Sequence, residues 1–141
     1  MTSKNVENLA ELILDTGRLI HRKTGGFGVG NISMPRYKLL HFICEKGDPT
    51  MKDMAAFLGV APPTATVIVR RLIASGAIAR INKKGDRRVT CAALTPIGRK
   101  IIADTRRQII ARLHPLLQNL TKKEMASLFI ILTKINEHYE E

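Results

Sequence analysis

A single change of hydrophobic period, at Gly76, constrains this chain more than any other feature. Before it, apolar residues recur at helical spacing. After it come two short runs rich in β-formers, over 77–82 and 88–94, joined by Lys83-Lys84-Gly85-Asp86-Arg87. The helical side of the boundary is itself punctuated. Thr50-Met51-Lys52-Asp53 offers a hydroxyl and, three residues on, a carboxylate, a pair that satisfies first-turn N–H groups and opens a helix. Gly59 stops that helix. Pro62-Pro63 starts the next one at little cost, because first-turn donors lack intrahelical partners anyway. Gly76 is its expected stop.

Helix, tight turn, helix and thin ribbon, in that order, make a winged helix-turn-helix. The expected fold class is therefore mainly α with a small β-hairpin wing (α+β), flanked by N- and C-terminal helices. An α-helix fits the major groove of a DNA duplex, and a ribbon reaches the neighbouring minor groove or backbone. Within the second helix of the motif, Ala65, Ile68, Val69 and Leu72 follow an i, i+3, i+4, i+7 rhythm that predicts burial. Pro63, Thr64, Thr66, Val67, Arg70 and Arg71 are left facing outward. The first four are short, with hydroxyls for base edges or phosphates and methyls for thymine; the two arginines can bond phosphate or guanine.

Charge is concentrated at the same place. The chain carries a formal net charge of +11. Residues 62–112 hold twelve Lys/Arg against only Asp86 and Asp104, which is +10 of that total. Concentrated positive charge is the footprint of a polyanion-binding surface, whereas a merely basic protein would spread it. Lys83, Lys84, Arg87 and Arg88 crowd the ribbon tip, where their mutual repulsion gives folding nothing and phosphates would relieve it. Asp86 interrupts the run and can hold a neighbouring guanidinium in position.

The flanks read as helices. Val6, Leu9, Leu12, Ile13, Thr16, Leu19 and Ile20 recur at helical spacing over 5–23. A Gly-rich segment, 25–30, then breaks the pattern; it lacks the preceding strand and the Lys-Ser/Thr ending of a phosphate-cradling loop and reads as a connector. Ser33 as N-cap and Pro35 in the first turn predict a helix to about Glu45. Thr95-Pro96 predicts a long helix to about Asn119, kinked or interrupted at Pro115. Thr121-Lys122-Lys123-Glu124 is a capping box for the last helix, which carries Met125, Leu128, Phe129, Ile131, Leu132, Ile135 and Tyr139. With Ile130 added, that apolar face is too wide for one partner surface in so short a chain, which predicts a second copy against it.

Several classes of function are disfavoured. His21, His41, His114 and His138 have no nucleophile elbow nearby and no His-Glu-x-x-His spacing, so no catalytic residues, metal ligands or cofactors are assigned and no enzyme activity is expected. Aromatic content of 4% with no Trp speaks against a single-strand binder, which needs stacking platforms. No apolar run reaches the length of a membrane span, and Glu7, Glu11 and Asp15 spoil a signal-peptide pattern. Cys44 and Cys91 lie far apart, outside metal spacing, and read as small apolar fillers in a reduced, cytoplasmic protein.

The quoted motifs bring the chain close to a known family. Gly59-Val60-Ala61-Pro62-Pro63-Thr64-Ala65-Thr66, then Arg71-Leu72-Ile73-Ala74-Ser75-Gly76-Ala77-Ile78-Ala79-Arg80, the wing Gly85-Asp86-Arg87-Arg88-Val89 and the Leu94-Thr95-Pro96-Ile97-Gly98 stop resemble the MarR family of transcriptional regulators. The resemblance implies a homodimer joined by the first and the last two helices, a palindromic double-stranded DNA operator and, often, a small-molecule effector in the crevice between the dimerisation and DNA-binding parts. It places Thr64, Thr66, Arg70 and Arg71 at major-groove positions and Asp86, Arg87 and Arg88 in the wing. Ala61 departs from the family's frequent Ser cap, Val67 from a frequent polar reader and Arg70 from a common acidic residue, so the operator sequence is not transferable.

The expectation is thus a single domain, 1–141, with a DNA-binding part over 34–95 and dimerisation helices over 1–24 and 96–141. Its recognition helix covers about 62–75 and its wing 82–89. The function expected is sequence-specific transcriptional regulation by a ligand-responsive dimeric repressor. A sequence-neutral architectural DNA-binding protein and a winged-helix protein–protein adaptor are the alternatives.

Overall fold

In a computed structural model, residues 3–23, 34–83 and 85–138 are described. Six helices and one hairpin follow in the order α1 (Ser3–Lys23), α2 (Met34–Lys46), α3 (Met51–Leu58), α4 (Pro62–Ala74), β1 (Ile78–Lys83), β2 (Asp86–Leu94), α5 (Pro96–Leu117) and α6 (Lys122–Glu137). The expected Ser33 cap, the 25–30 connector, Lys84 and Tyr139 lie outside the described residues.

Local chemistry sets most boundaries. At the start of α3 the Thr50 N–H donates to the Asp53 carboxylate (3.0 Å), while the Asp53 N–H donates to Thr50 Oγ1 (3.1 Å). Acting on the carboxylate, the Thr50 backbone N–H first and its hydroxyl second hold the Asp53 carboxyl below its ordinary value; Lys46 adds to the effect. A carboxylate with a depressed folded-state pKa contributes stability above its unfolded value, and that contribution is lost as pH falls through the folded one. Replacing Thr50 by Ala should cost about 1 kcal/mol in a denaturant melt at neutral pH. An unchanged midpoint would show that α3 does not depend on this cap. At its other end α3 closes on Gly59, whose φ of 64° is left-handed.

The buried apolar cluster lies in α2, the helix-turn-helix and the ribbon, with Ile101 and Ile102 of α5 packed against it. Leu39, Leu40 and Ile43 of α2, Met54 of α3, Val69 and Leu72 of α4, and Ala77, Ile78 and Ala92 around the ribbon form one buried cluster. A stacked pair, Phe42 on Phe57 (centroids 4.3 Å apart), ties α2 to α3, and Lys46 lies over the Phe42 ring while reaching Asp53 at 3.7 Å. By contrast, α1 and α6 bury no residue at all.

Three expectations need correction. The ribbon strands reach Lys83 and Asp86, leaving a tighter tip than a five-residue loop: a register shift at Asn82/Lys83 lets pairing resume, and Gly85 supplies a φ of 92°. Pro115 does not end α5 on the spot but sits inside its last turn, two residues before Leu117. At that depth a missing N–H removes one bond from a helix that is already ending. Cys44 is exposed, so only the buried Cys91 serves as a small apolar filler.

One connection escaped the sequence reading. Thr50 bridges to Cys91, and the Ala92 N–H donates to Pro49 O (3.0 Å), so the turn before α3 pairs with β2. The base of the wing is thereby bonded to the start of the helix-turn-helix.

Candidate nucleic-acid interface

Helix α4 presents two faces, as its spacing requires. Ala65, Val69 and Leu72 are buried, and Ile68 is half-buried against the core. Pro63, Thr64, Val67, Arg70 and Arg71 are exposed. Thr66 departs from the expectation: it is half-buried, and its hydroxyl donates to Pro62 O (2.9 Å). That back-bond to the preceding turn is a common resting state for a helical threonine and leaves the oxygen's lone pairs as its remaining polar capacity. Neither arginine meets an acidic side chain among the described residues. Two exposed guanidiniums without an acidic partner among the described residues are available to phosphate or guanine.

Of the wing positions, Lys83, Asp86, Arg87 and Arg88 have their backbone in the paired strands. Their side chains, and Lys84 altogether, lie outside the described residues. The ribbon that carries them is registered by Ile78↔Leu94, Ile81↔Cys91 and Asn82↔Thr90.

What fixes ribbon and recognition helix relative to the rest is the Thr95–Gly98 turn. The Thr95 N–H donates to Ala77 O (3.1 Å), and Thr95 Oγ1 lies 2.9 Å from Ala77 O and 2.5 Å from Gly76 O. The same oxygen accepts from the Gly98 N–H (3.1 Å), capping α5. Gly98 packs so closely that a Cβ there would stand 2.1 Å from Ala77 O and 2.7 Å from Leu94 Cδ1. The sequence signalled the Thr-Pro cap; the close approach at Gly98 was visible only as a motif letter.

Elsewhere the chemistry is sparse. Among the described residues no group of three or more His, Cys, Asp or Glu converges as a metal site. No single described helix is long and apolar enough to cross a membrane. A small open cavity of about 250 Å³ between α2 and α3 is lined by Tyr37, Lys38, His41, Phe42, Glu45 and Phe57.

Helix-turn-helix, hairpin wing and cationic outer face together define a winged helix-turn-helix protein of the DNA-binding class. The MarR family's sequence profile matches residues 32–90. A HTH-type transcriptional regulator of Bacillus subtilis (strain 168), YsmB, is 27% identical over 125 residues, covering 87% of this chain and 80% of that protein. A MarR family protein from Bacillus stearothermophilus superposes with a TM-score of 0.80 at 21% identity, over 100% of this chain and 99% of the other. RV1404 from Mycobacterium tuberculosis gives a TM-score of 0.79 at 24% identity, over 100% and 97%. The chain is thus similar to the MarR family of transcriptional regulators over residues 32–90, and it shares the fold of a MarR family structure along its whole length.

Proposed function

We propose that the protein is a dimeric, sequence-specific double-stranded DNA-binding regulator, most simply a repressor, whose operator is palindromic. The observation that carries the reading is the outward face of α4, where Pro63, Thr64, Val67, Arg70 and Arg71 stand exposed on a helix held by the core behind it. Residues 34–95 form the DNA-binding part, with α4 in the major groove and the wing cations Lys83, Lys84, Arg87 and Arg88 at the minor groove or backbone, positioned with the help of Asp86. Phosphate contacts supply affinity and salt dependence, and α4 supplies sequence preference.

Residues 1–24 and 96–141 serve dimerisation. Among the described residues, all the large exposed apolar side chains except Phe57 and Val67 lie on α1, α5 and α6. A monomer exposing so many large apolar side chains would associate, and a two-fold axis through these helices sets two α4 helices one duplex turn apart, about 34 Å. An effector acts by changing that separation. Two neighbours in fold support ligand response: PefR from Streptococcus agalactiae is a heme sensor (TM-score 0.59), and the DNA binding of BpsR from Bordetella bronchiseptica is regulated by 6-hydroxynicotinic acid (TM-score 0.63).

The test is selection of duplexes from the protein's own genome, followed by competition of a selected fragment against bulk DNA. Preferential binding supports the proposal; equal binding to every duplex would replace it with a sequence-neutral coating protein, and no binding in dilute buffer with an adaptor. For the wing, Arg88→Ala should weaken binding to all sequences alike and reduce the slope of log affinity against log salt by about 0.9, the value for one phosphate contact. An unchanged slope removes Arg88 from the interface.

A further inference from the structure

We infer that the entering turn of α4 reads thymine through its C5-methyl group, an inference that rests on the DNA-binding reading above and specifies what that site recognises. Pro62 and Pro63 carry no N–H, and the next two amides, Thr64 and Ala65, both bond to Ala61 O (3.0 and 3.1 Å). Ala61, the N-cap, makes no side-chain cap bond. This end of the helix therefore offers a base edge or phosphate none of the free backbone donors that helix starts usually carry. The hydroxyl of Thr66 is turned back onto Pro62 O.

Side-chain chemistry narrows the choice further. From Pro62 to Ala74 there is no Asn, Gln, Asp or Glu. The helix thus lacks the bidentate amide reader of adenine and the carboxylate acceptor that pairs with the cytosine amino group. What the entering turn does present is the Pro63 ring, the Thr64 methyl and hydroxyl, and the two methyls of Val67, which is 48% exposed. Positions 63, 64 and 67 are neighbours on one helix face. An exposed valine is a poor helix former and adds little to the core, so its place there is not explained by folding. In the major groove the apolar feature on a base edge is the thymine methyl. Arg70 and Arg71, one turn further along, are unpaired by acid among the described residues and complement the duplex's charge, which commits the face to DNA.

The experiment uses the full chain and a duplex that it selects from a random-sequence pool. The recovered duplex is synthesised with thymidine, or with deoxyuridine replacing thymidine within the half-sites, a change that deletes only the methyl. Each contacted methyl removed should weaken binding about fourfold, the factor expected for losing one buried methyl-sized group. Deoxyuridine outside the footprint should change nothing. Val67→Ala, at an exposed position that the fold does not need, should abolish the uridine penalty at one base pair per half-site and preserve it at the others. Equal affinity for the thymidine and deoxyuridine duplexes, or selected half-sites without thymine, overturns the inference while leaving the regulator reading intact. Failure to enrich any duplex overturns both.

Discussion

Phe129→Asp should turn the proposed dimer into a monomer and reduce affinity for a selected duplex by about a hundredfold or more, the loss expected when two linked half-site contacts become one. Phe129 is 73% exposed in the protomer, and Ile130, Ile131, Leu132 and Ile135 are exposed around it. A carboxylate placed there and buried against a second copy would be desolvated without a partner, which costs more than the lost ring alone. Because α6 buries no residue within one chain, the winged part should keep its far-UV circular dichroism. Light scattering and anisotropy on a selected duplex provide the readout. A variant that stays dimeric and binds as the parent does would place the contact between copies elsewhere.

Gly98→Val should be the most destabilising single change outside the apolar core. Even Ala puts a Cβ 2.1 Å from a backbone oxygen, Ala77 O, which cannot swing aside as a flexible side chain would. Relief requires moving the first turn of α5 off Ala77, breaking the bonds that Thr95 makes there. The expected loss is roughly 3 kcal/mol or more, combining overpacking with broken cap bonds. In a chain of this size that lowers Tm by roughly 10 °C. Gly47→Ala makes a useful contrast: its φ of 72° is unfavourable for Ala, but nothing lies within 4 Å of the added carbon, so the cost should stop near about 1 kcal/mol. If Gly98→Val melts with the parent, the tight packing of α5 on the wing base is wrong.

How much of this was legible beforehand differs between elements. Thr50, Thr95 and Thr121 announced their helices correctly because capping is local chemistry, written within four residues. The split of α4 into Ala65, Val69 and Leu72 on one side and Val67 and Arg70 on the other followed from periodicity alone. The bond made by the Thr66 hydroxyl was not legible, because a helical hydroxyl can satisfy itself on the turn before and spacing cannot say which bond wins. Cys44 was misjudged because the sequence shows that a residue is small and apolar, not which way its helix is turned. The Thr50–Cys91 bridge and the fit of Gly98 against Ala77 join segments far apart in sequence, where no local pattern reports the contact.

Since α5 is clamped at its start to the backbone beside Gly76 and Ala77, it cannot pivot freely at that end. Its 22 residues make a stiff rod of about 33 Å at 1.5 Å per residue. In the proposed dimer, a tilt of only about 5° at the far end would sweep the DNA-reading head through about 3 Å, judged over that length. Spin labels on the two reading heads would register such leverage as a shift in their separation when an effector binds, and an unmoved distance would assign the response to some other joint.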